Sequence, residues 1–107
     1  MAIVSGGTWP EKDQQEIITV TFEFTSLVEP ISVVAVTATT IAGQPDASPG
    51  DILTGPASVV GKLVMQRVRA GVDGAKYSLR AVASDAVGNI AVVVAGLPVR
   101  NAIVNDR

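Results

Sequence analysis

Two segments of the chain alternate between apolar and polar residues, and this period of two constrains the fold more than any other feature. The first alternating segment is 17–24 and the second is 76–84. In the first, the apolar set is Ile18, Val20, Phe22 and Phe24; in the second it is Tyr77, Leu79, Ala81 and Ala83. Alternation of this kind is typical of a strand with one buried face. The sequence therefore predicts half-buried strands.

The rest of the chain indicates the same fold class. Segments 31–39, 62–69 and 90–99 are rich in valine, alanine and isoleucine, which fit a pleated sheet. The 10 glycines and 6 prolines break the chain into pieces too short for long helices. Segment 42–61 reads as a long loop lying against the sheets, with at most a short strand at 51–53. The prediction is an all-β, immunoglobulin-like antiparallel β-sandwich of about six or seven strands.

The composition divides the chain into three parts. Residues 1–16 are predicted to form an N-terminal docking arm, 17–99 the β-sandwich domain, and 100–107 a C-terminal tail. The arm contains apolar residues separated by the flexible Gly6-Gly7 pair. Its predicted partner-binding residues are Ile3, Val4 and Trp9, with Trp9 the main anchor, because tryptophan is enriched at interface hot spots.

Segment 73–79 resembles the immunoglobulin-type signature Asp-x-Ala-x-Tyr-x-Cys, with Leu79 at the cysteine position. The structural residues of this motif are Asp73, Gly74, Tyr77 and Leu79. In that fold the tyrosine hydroxyl hydrogen-bonds to nearby backbone, since a buried hydroxyl needs a partner. The alternative is a lone tyrosine in a hairpin. Leucine in place of cysteine fits a sandwich stabilised by packing alone.

The sequence offers little catalytic or metal-binding chemistry. It has no histidine and no cysteine, which removes the commonest general base and the usual zinc ligands. We therefore expect no enzyme activity, catalytic residues, cofactor or metal. The net charge of −2 and the lack of an 18-residue apolar run argue against nucleic-acid and membrane binding. Sugar binding is an alternative, but Trp9 would be the single exposed aromatic residue.

The last strand is apolar on both faces in segment 90–95, and so is 33–36. An exposed strand of a sandwich is normally polar on its outward side. If Val92 and Val94 point inward, Val93 points outward and contacts a partner. Either another part of this chain covers these faces or another protein does. In the second case the chain is expected to form a homo-oligomer or to be present in multiple copies in a symmetric assembly.

Three motifs resemble the small immunoglobulin-like proteins of tailed phages described as fiber-tail adaptor proteins. The first is Trp9-Pro10-Glu11-Lys12-Asp13 with Glu16, similar to a Pro-x-Lys-Asp-Pro-x-Glu phrase in which Gln14 replaces proline. The second is Leu53-Thr54-Gly55-Pro56 followed by Gly61 and Gln66. The third is 70–79, similar to a Gly-Gly-x-x-Gly-x-x-Tyr turn with Ala70 at the first glycine.

The resemblance implies a non-enzymatic virion structural protein, assembled in the host cytoplasm, that joins or stabilises components at the head-tail or tail-fiber junction. Its partners would be other virion proteins of the head, tail or fiber. The alternatives are a capsid decoration protein with the same fold and, from a different class, a sugar-binding β-sandwich module.

Overall fold

The computed structural model describes residues 2–4, 7–9 and 11–100, with the side chains of 2–4 and 7 left out. Eight strands and one short 3-10 helix, Pro49–Ile52, are present in this part of the chain. The strands are β1 (Ala2–Val4), β2 (Gly7–Thr8), β3 (Ile18–Glu23), β4 (Ile31–Gly43), β5 (Leu53–Val60), β6 (Leu63–Val68), β7 (Ala75–Asp85) and β8 (Ile90–Pro98).

The strands form two sheets, in the orders β1-β3-β6-β5 and β2-β8-β7-β4. Apart from the short β1 and β2, neighbouring strands run antiparallel. With β3 to β8 taken as strands B to G, this is the arrangement of a constant-type immunoglobulin sandwich. The predicted all-β immunoglobulin-like sandwich is confirmed.

The core lies between the sheets and is made by the alternating strands. The inward sets predicted for β3 and β7 are confirmed, except that Ile18 is only partly buried. In β6 the sequence is compatible with an inward set of Leu63 and Met65 or one of Val64 and Val68. The structure buries Val64, Gln66 and Val68. Adjacent residues of a strand point to opposite faces, so register with β3 decides which set is buried.

The predicted separation of the N-terminal docking arm from the sandwich is wrong at Trp9 and Lys12, because both belong to the sandwich. Trp9 is 2% exposed and makes an edge-to-face contact with Phe22 at a centroid distance of 5.0 Å. Its backbone N–H donates to the carbonyl of Gly96 at 2.9 Å, and that of Lys12 donates to Pro98 at 2.9 Å. The last strand offers unpaired backbone groups at its edge, and the backbone N–H groups of Trp9 and Lys12 bond to them.

Two other parts of the predicted division fall partly outside the described residues. The backbone of Ile3 and Val4 pairs with β3, whereas their side chains are outside the described set, so their predicted partner contacts stay predictions. In the predicted tail, the N–H of Arg100 donates to the carbonyl of Lys12 at 2.8 Å. Residues 101–107 lie outside the described residues.

The predicted long loop at 42–61 is also partly wrong. Residues 53–60 form the eight-residue strand β5, and the short strand expected at 51–53 is largely replaced by the 3-10 helix. The sequence did not predict this strand because Gly55 and Pro56 are residue types typical of loops. β5 lies at a sheet edge, where proline removes no ladder hydrogen bond, and an irregularity in the pairing spans these residues.

The inward parity assumed for β8 is reversed. Val93 is 7% exposed, whereas Val92 and Val94 are 44% and 45% exposed. Register explains this result, because Val93 pairs with the buried Ala81 and Val92 pairs with Val82. Val93 is therefore a core residue, and its assignment as a partner contact is wrong.

Candidate interaction surface

The solvent-facing side of β8, β7 and β4 carries an exposed apolar patch, here called the outer face. Its centre is a cross-strand row of Ala35, Val82 and Val92, neighbours by register. Ile90 and Val94 extend the patch along β8, and Val34 lies at the adjacent bulge in β4. The prediction that β8 is apolar on both faces is thus confirmed, with the outward residues shifted by one.

The charges of the outer face have a single sign. Among the described positions that register places on this face, the charged residues are Arg80 and Lys76. Arg80 lies between Thr37 and Val94 in the row next to the apolar one. A chain with a net charge of −2 therefore presents a sheet face whose charge is positive.

Each of the three motifs contains a side chain that hydrogen-bonds to irregular backbone, an arrangement here called a polar clamp. In the first motif Lys12 is 1% exposed, and its Nζ donates to the carbonyl oxygens of Ala70 at 2.7 Å and Asp13 at 2.8 Å. Burial lowers the pKa of Lys12 below its ordinary 10.5, although the carboxylates of Glu16 and Asp13 raise it in part. The amide of Gln14 donates to the carbonyl of Gly71 at 2.8 Å. The first motif therefore binds the third.

The third motif is a loop in left-handed backbone conformations, closed by the tyrosine. Ala70, Gly71 and Gly74 have φ angles of 51°, 102° and 84°. The hydroxyl of the buried Tyr77 accepts a hydrogen bond from the N–H of Val72 at 2.8 Å. This is the backbone bond that the immunoglobulin signature implies. Leu79, two residues further along β7, is also buried, whereas Asp73 is exposed in the turn that precedes the strand.

An acid that the sequence analysis did not assign to the site completes this corner. The Tyr77 hydroxyl donates to Oδ2 of Asp46 at 2.8 Å. Burial raises the pKa of Tyr77 to about 12, and Asp46 contributes to the same direction. Asp46 precedes Tyr77 by 31 positions, so no local pattern could have identified it.

The second motif is held together by one buried amide. The side chain of Gln66 is 3% exposed. Its Nε2 lies within hydrogen-bond distance of the carbonyls of Thr54, Gly55 and Arg67, which share its two N–H donors. Gly55 has a φ of 72°, in the region that favours glycine. Gln66 thus links the carbonyls of β5 and β6 at the start of the irregular stretch in their pairing.

Gln14 and Ala70 lie in backbone conformations that proline and glycine, respectively, favour. Residues 13–16 form a β-turn, with the N–H of Glu16 donating to the carbonyl of Asp13 at 3.0 Å. Gln14 occupies the second position of this turn, where proline is favoured. Ala70 has a positive φ, in the region that glycine adopts without strain.

Other kinds of site find little support among the described residues. All four aromatic side chains of the chain are buried, so no ring forms an exposed platform for a sugar. In the described ranges, no group of three or more His, Cys, Asp or Glu side chains is placed to hold a metal ion. No helix in the same part of the chain has the length and apolar character needed to cross a membrane. Comparisons of the chain with family models, curated proteins and solved structures found no match.

Proposed function

We propose that this chain is a non-enzymatic structural protein of a phage particle that joins or stabilises components at the head-tail or tail-fiber junction. The observation that carries the docking role is the outer face, with its row of Ala35, Val82 and Val92. Exposed apolar patches rimmed by polar residues mark interaction sites on soluble proteins. The row lies on three neighbouring strands of one sheet, so the face is preorganised and loses little conformational freedom on docking.

The resemblance of the three motifs supports the virion setting of this role. Each motif corresponds to a clamp on irregular backbone, and the first and third are in direct contact through Lys12 and Ala70. Gln14 and Ala70 depart from the family residues but keep the conformations those residues favour. The residues that carry the resemblance are thus ones that this chain needs for its own fold, and the resemblance itself supports the virion setting.

The exposed valines of the outer face indicate how much free energy docking would gain from burying apolar surface. Burying a valine side chain contributes about 1.5–3 kcal/mol when it is fully removed from water. Val92 and Val94 are about half exposed already within the sheet, so each would add roughly 1 kcal/mol on docking. Replacing one by lysine removes this gain and places a charge in the contact.

The test uses particles of the phage that encodes the chain, with the gene replaced by a variant. Val92→Lys should reduce the number of copies per particle, measured by quantitative mass spectrometry of purified virions. Ile17→Lys is the matched control, because Ile17 is exposed to a similar degree but precedes β3 in the other sheet. It should leave the copy number unchanged.

Full incorporation of Val92→Lys would exclude the outer face as the docking surface. Electron microscopy of the same wild-type particles locates the chain. Density at the head-tail or tail-fiber junction supports the adaptor role, and density over the capsid surface supports the decoration role instead. Absence of the chain from purified virions would overturn both. The sugar-binding alternative is not favoured, because Trp9 is in the core.

A further inference from the structure

The end of the sandwich that contains the β5–β6 and β7–β8 turns is acidic. Glu23, Glu29 and Asp85 lie there, with Lys62 the basic residue among them; we call this the acidic end. Hydrogen bonds connect the segments that form this end. The N–H of Phe24 donates to the carbonyl of Lys62, and the N–H of Val28 donates to the carboxylate of Asp85. Lys62 is itself engaged, its Nζ contacting the carbonyl of Thr25 at 3.4 Å.

Within the acidic end, Glu29 borders an open cavity of about 550 Å³ lined by Pro30, Ile31, Val59 and Gly61. The carboxylate lies over Gly61, where a Cβ would approach Oε1 to 2.8 Å. The neighbouring Val28 and Val60 are more than half exposed. The site thus places a carboxylate beside Pro30 and Val59 in an open cavity whose exposed lining is more polar than apolar. The carboxylate suits the charged head of an arginine side chain.

We propose that the outer face of one copy docks against the acidic end of a second copy. Arg80 would pair with Glu29, and the valines of the outer face would cover Val28 and Val60. The opposite charges of the two surfaces favour this contact over one between two outer faces. The outer face is positive at Arg80 and Lys76, and the acidic end carries three carboxylates against Lys62, so the two surfaces are complementary.

Two different surfaces meet in this contact, so it is heterologous. After two copies associate, one copy still has a free outer face and the other a free acidic end, so further copies can add and the contact generates a ring or a filament. This inference uses the docking surface assigned under the proposed function and adds the identity of one occupant. It also accounts for the expectation of multiple copies, because one repeated contact builds a symmetric assembly.

Sedimentation velocity of the full-length purified chain tests the proposal. The weight-average mass of the wild type should rise with concentration at about 0.05 M salt and fall at about 0.5 M salt, where exposed charges are screened. Arg80→Glu and Glu29→Arg should each weaken association roughly tenfold or more. Asp51→Arg is the control, since it makes the same charge change at an exposed site on the 3-10 helix.

Mixing provides the decisive measurement. Glu29→Arg and Arg80→Glu oppose like charges within each pure sample, but an equimolar mixture restores opposite charges at both contacts and should associate. A wild type that stays monomeric at low salt overturns the proposal. So does association of Glu29→Arg at wild-type strength, which indicates a contact between two outer faces. Either result leaves the particle test above valid, because that test depends on the outer face alone.

Discussion

Two regions of the molecule differ in which groups they bury. One is the end of the sandwich where the first and third motifs meet, here called the clamped end, and the other is the outer face of the second sheet. At the clamped end, the polar groups of Lys12 and Tyr77 are buried and bonded to backbone. On the outer face, Val92 and Val94 are exposed to water. A buried polar group requires one geometry, because it costs free energy unless its partner is in place. An exposed apolar group imposes no such condition on the monomer.

This difference separates the residues needed for folding from those available for docking. Substitutions at the clamped end should change the stability of the isolated domain. Substitutions on the outer face should leave the isolated domain intact and change its associations. Trp9 belongs to the first group, contrary to its predicted role as a docking anchor, because its ring packs against Phe22 in the core.

The largest expected effect comes from neighbouring valines of β8. Val93→Lys places a charge among buried side chains opposite Ala81 and should cost more than about 4 kcal/mol, enough to unfold a marginal domain. Val92→Lys, one residue earlier on the outer face, should change the free energy of unfolding by about 0.5 kcal/mol or less. Urea melts monitored by circular dichroism measure both. Equal costs at the two positions would show that the face is not free in the monomer.

A smaller effect is expected at the first clamp. Lys12→Met keeps the stem but leaves the carbonyls of Ala70 and Asp13 without their donor, which should cost about 1–3 kcal/mol at neutral pH. A cysteine-free chain allows this comparison over a wide pH range without thiol chemistry. A variant as stable as the wild type would mean that desolvation of the ammonium outweighs its two hydrogen bonds.

The pH dependence of the same pair sharpens this result. The pKa of Lys12 is lowered in the folded state, so between that value and 10.5 the unfolded chain binds more protons. The stability of the wild type therefore rises with pH in this window, relative to Lys12→Met. Melts at neutral pH and near pH 10 should show the gap widening, and a narrowing gap would contradict the direction of the shift.

The smallest expected effect is a gain. Ala70 has a φ of 51°, and a residue with a Cβ is strained in that region, whereas glycine is not. Ala70→Gly should stabilise the domain by about 0.5–1 kcal/mol, after the extra flexibility of the unfolded chain is counted. Ala57→Gly, in the edge strand β5, is the control and should be destabilising. A loss of stability at position 70 would mean that its backbone conformation is not strained.

The sequence predicted the fold class, the inward faces of β3 and β7, and the corner at Tyr77, because each depends on a local period or motif. It did not predict β5, because Gly55 and Pro56 read as loop residues until the edge position of the strand is known. Lys12, Asp46 and Gln66 were missed as clamp residues. Lys12 lies in the first motif and Gln66 in the second, and this position could have marked them as structurally important. Their hydrogen-bond partners could not be identified in this way, because they are backbone carbonyls elsewhere in the chain.

By itself, the sequence determined that this chain forms a disulfide-free sandwich and that β8 is apolar on both sides. The direction in which each valine of β8 points was decided by the tertiary structure alone. A strand with apolar residues at every position satisfies either register, and pairing with the alternating β7 selects the one that buries Val93 against the core. The location of Trp9 was decided in the same way. Its position depends on two contacts that only the tertiary structure provides: its backbone N–H bonds to the edge of β8, and its ring packs against Phe22.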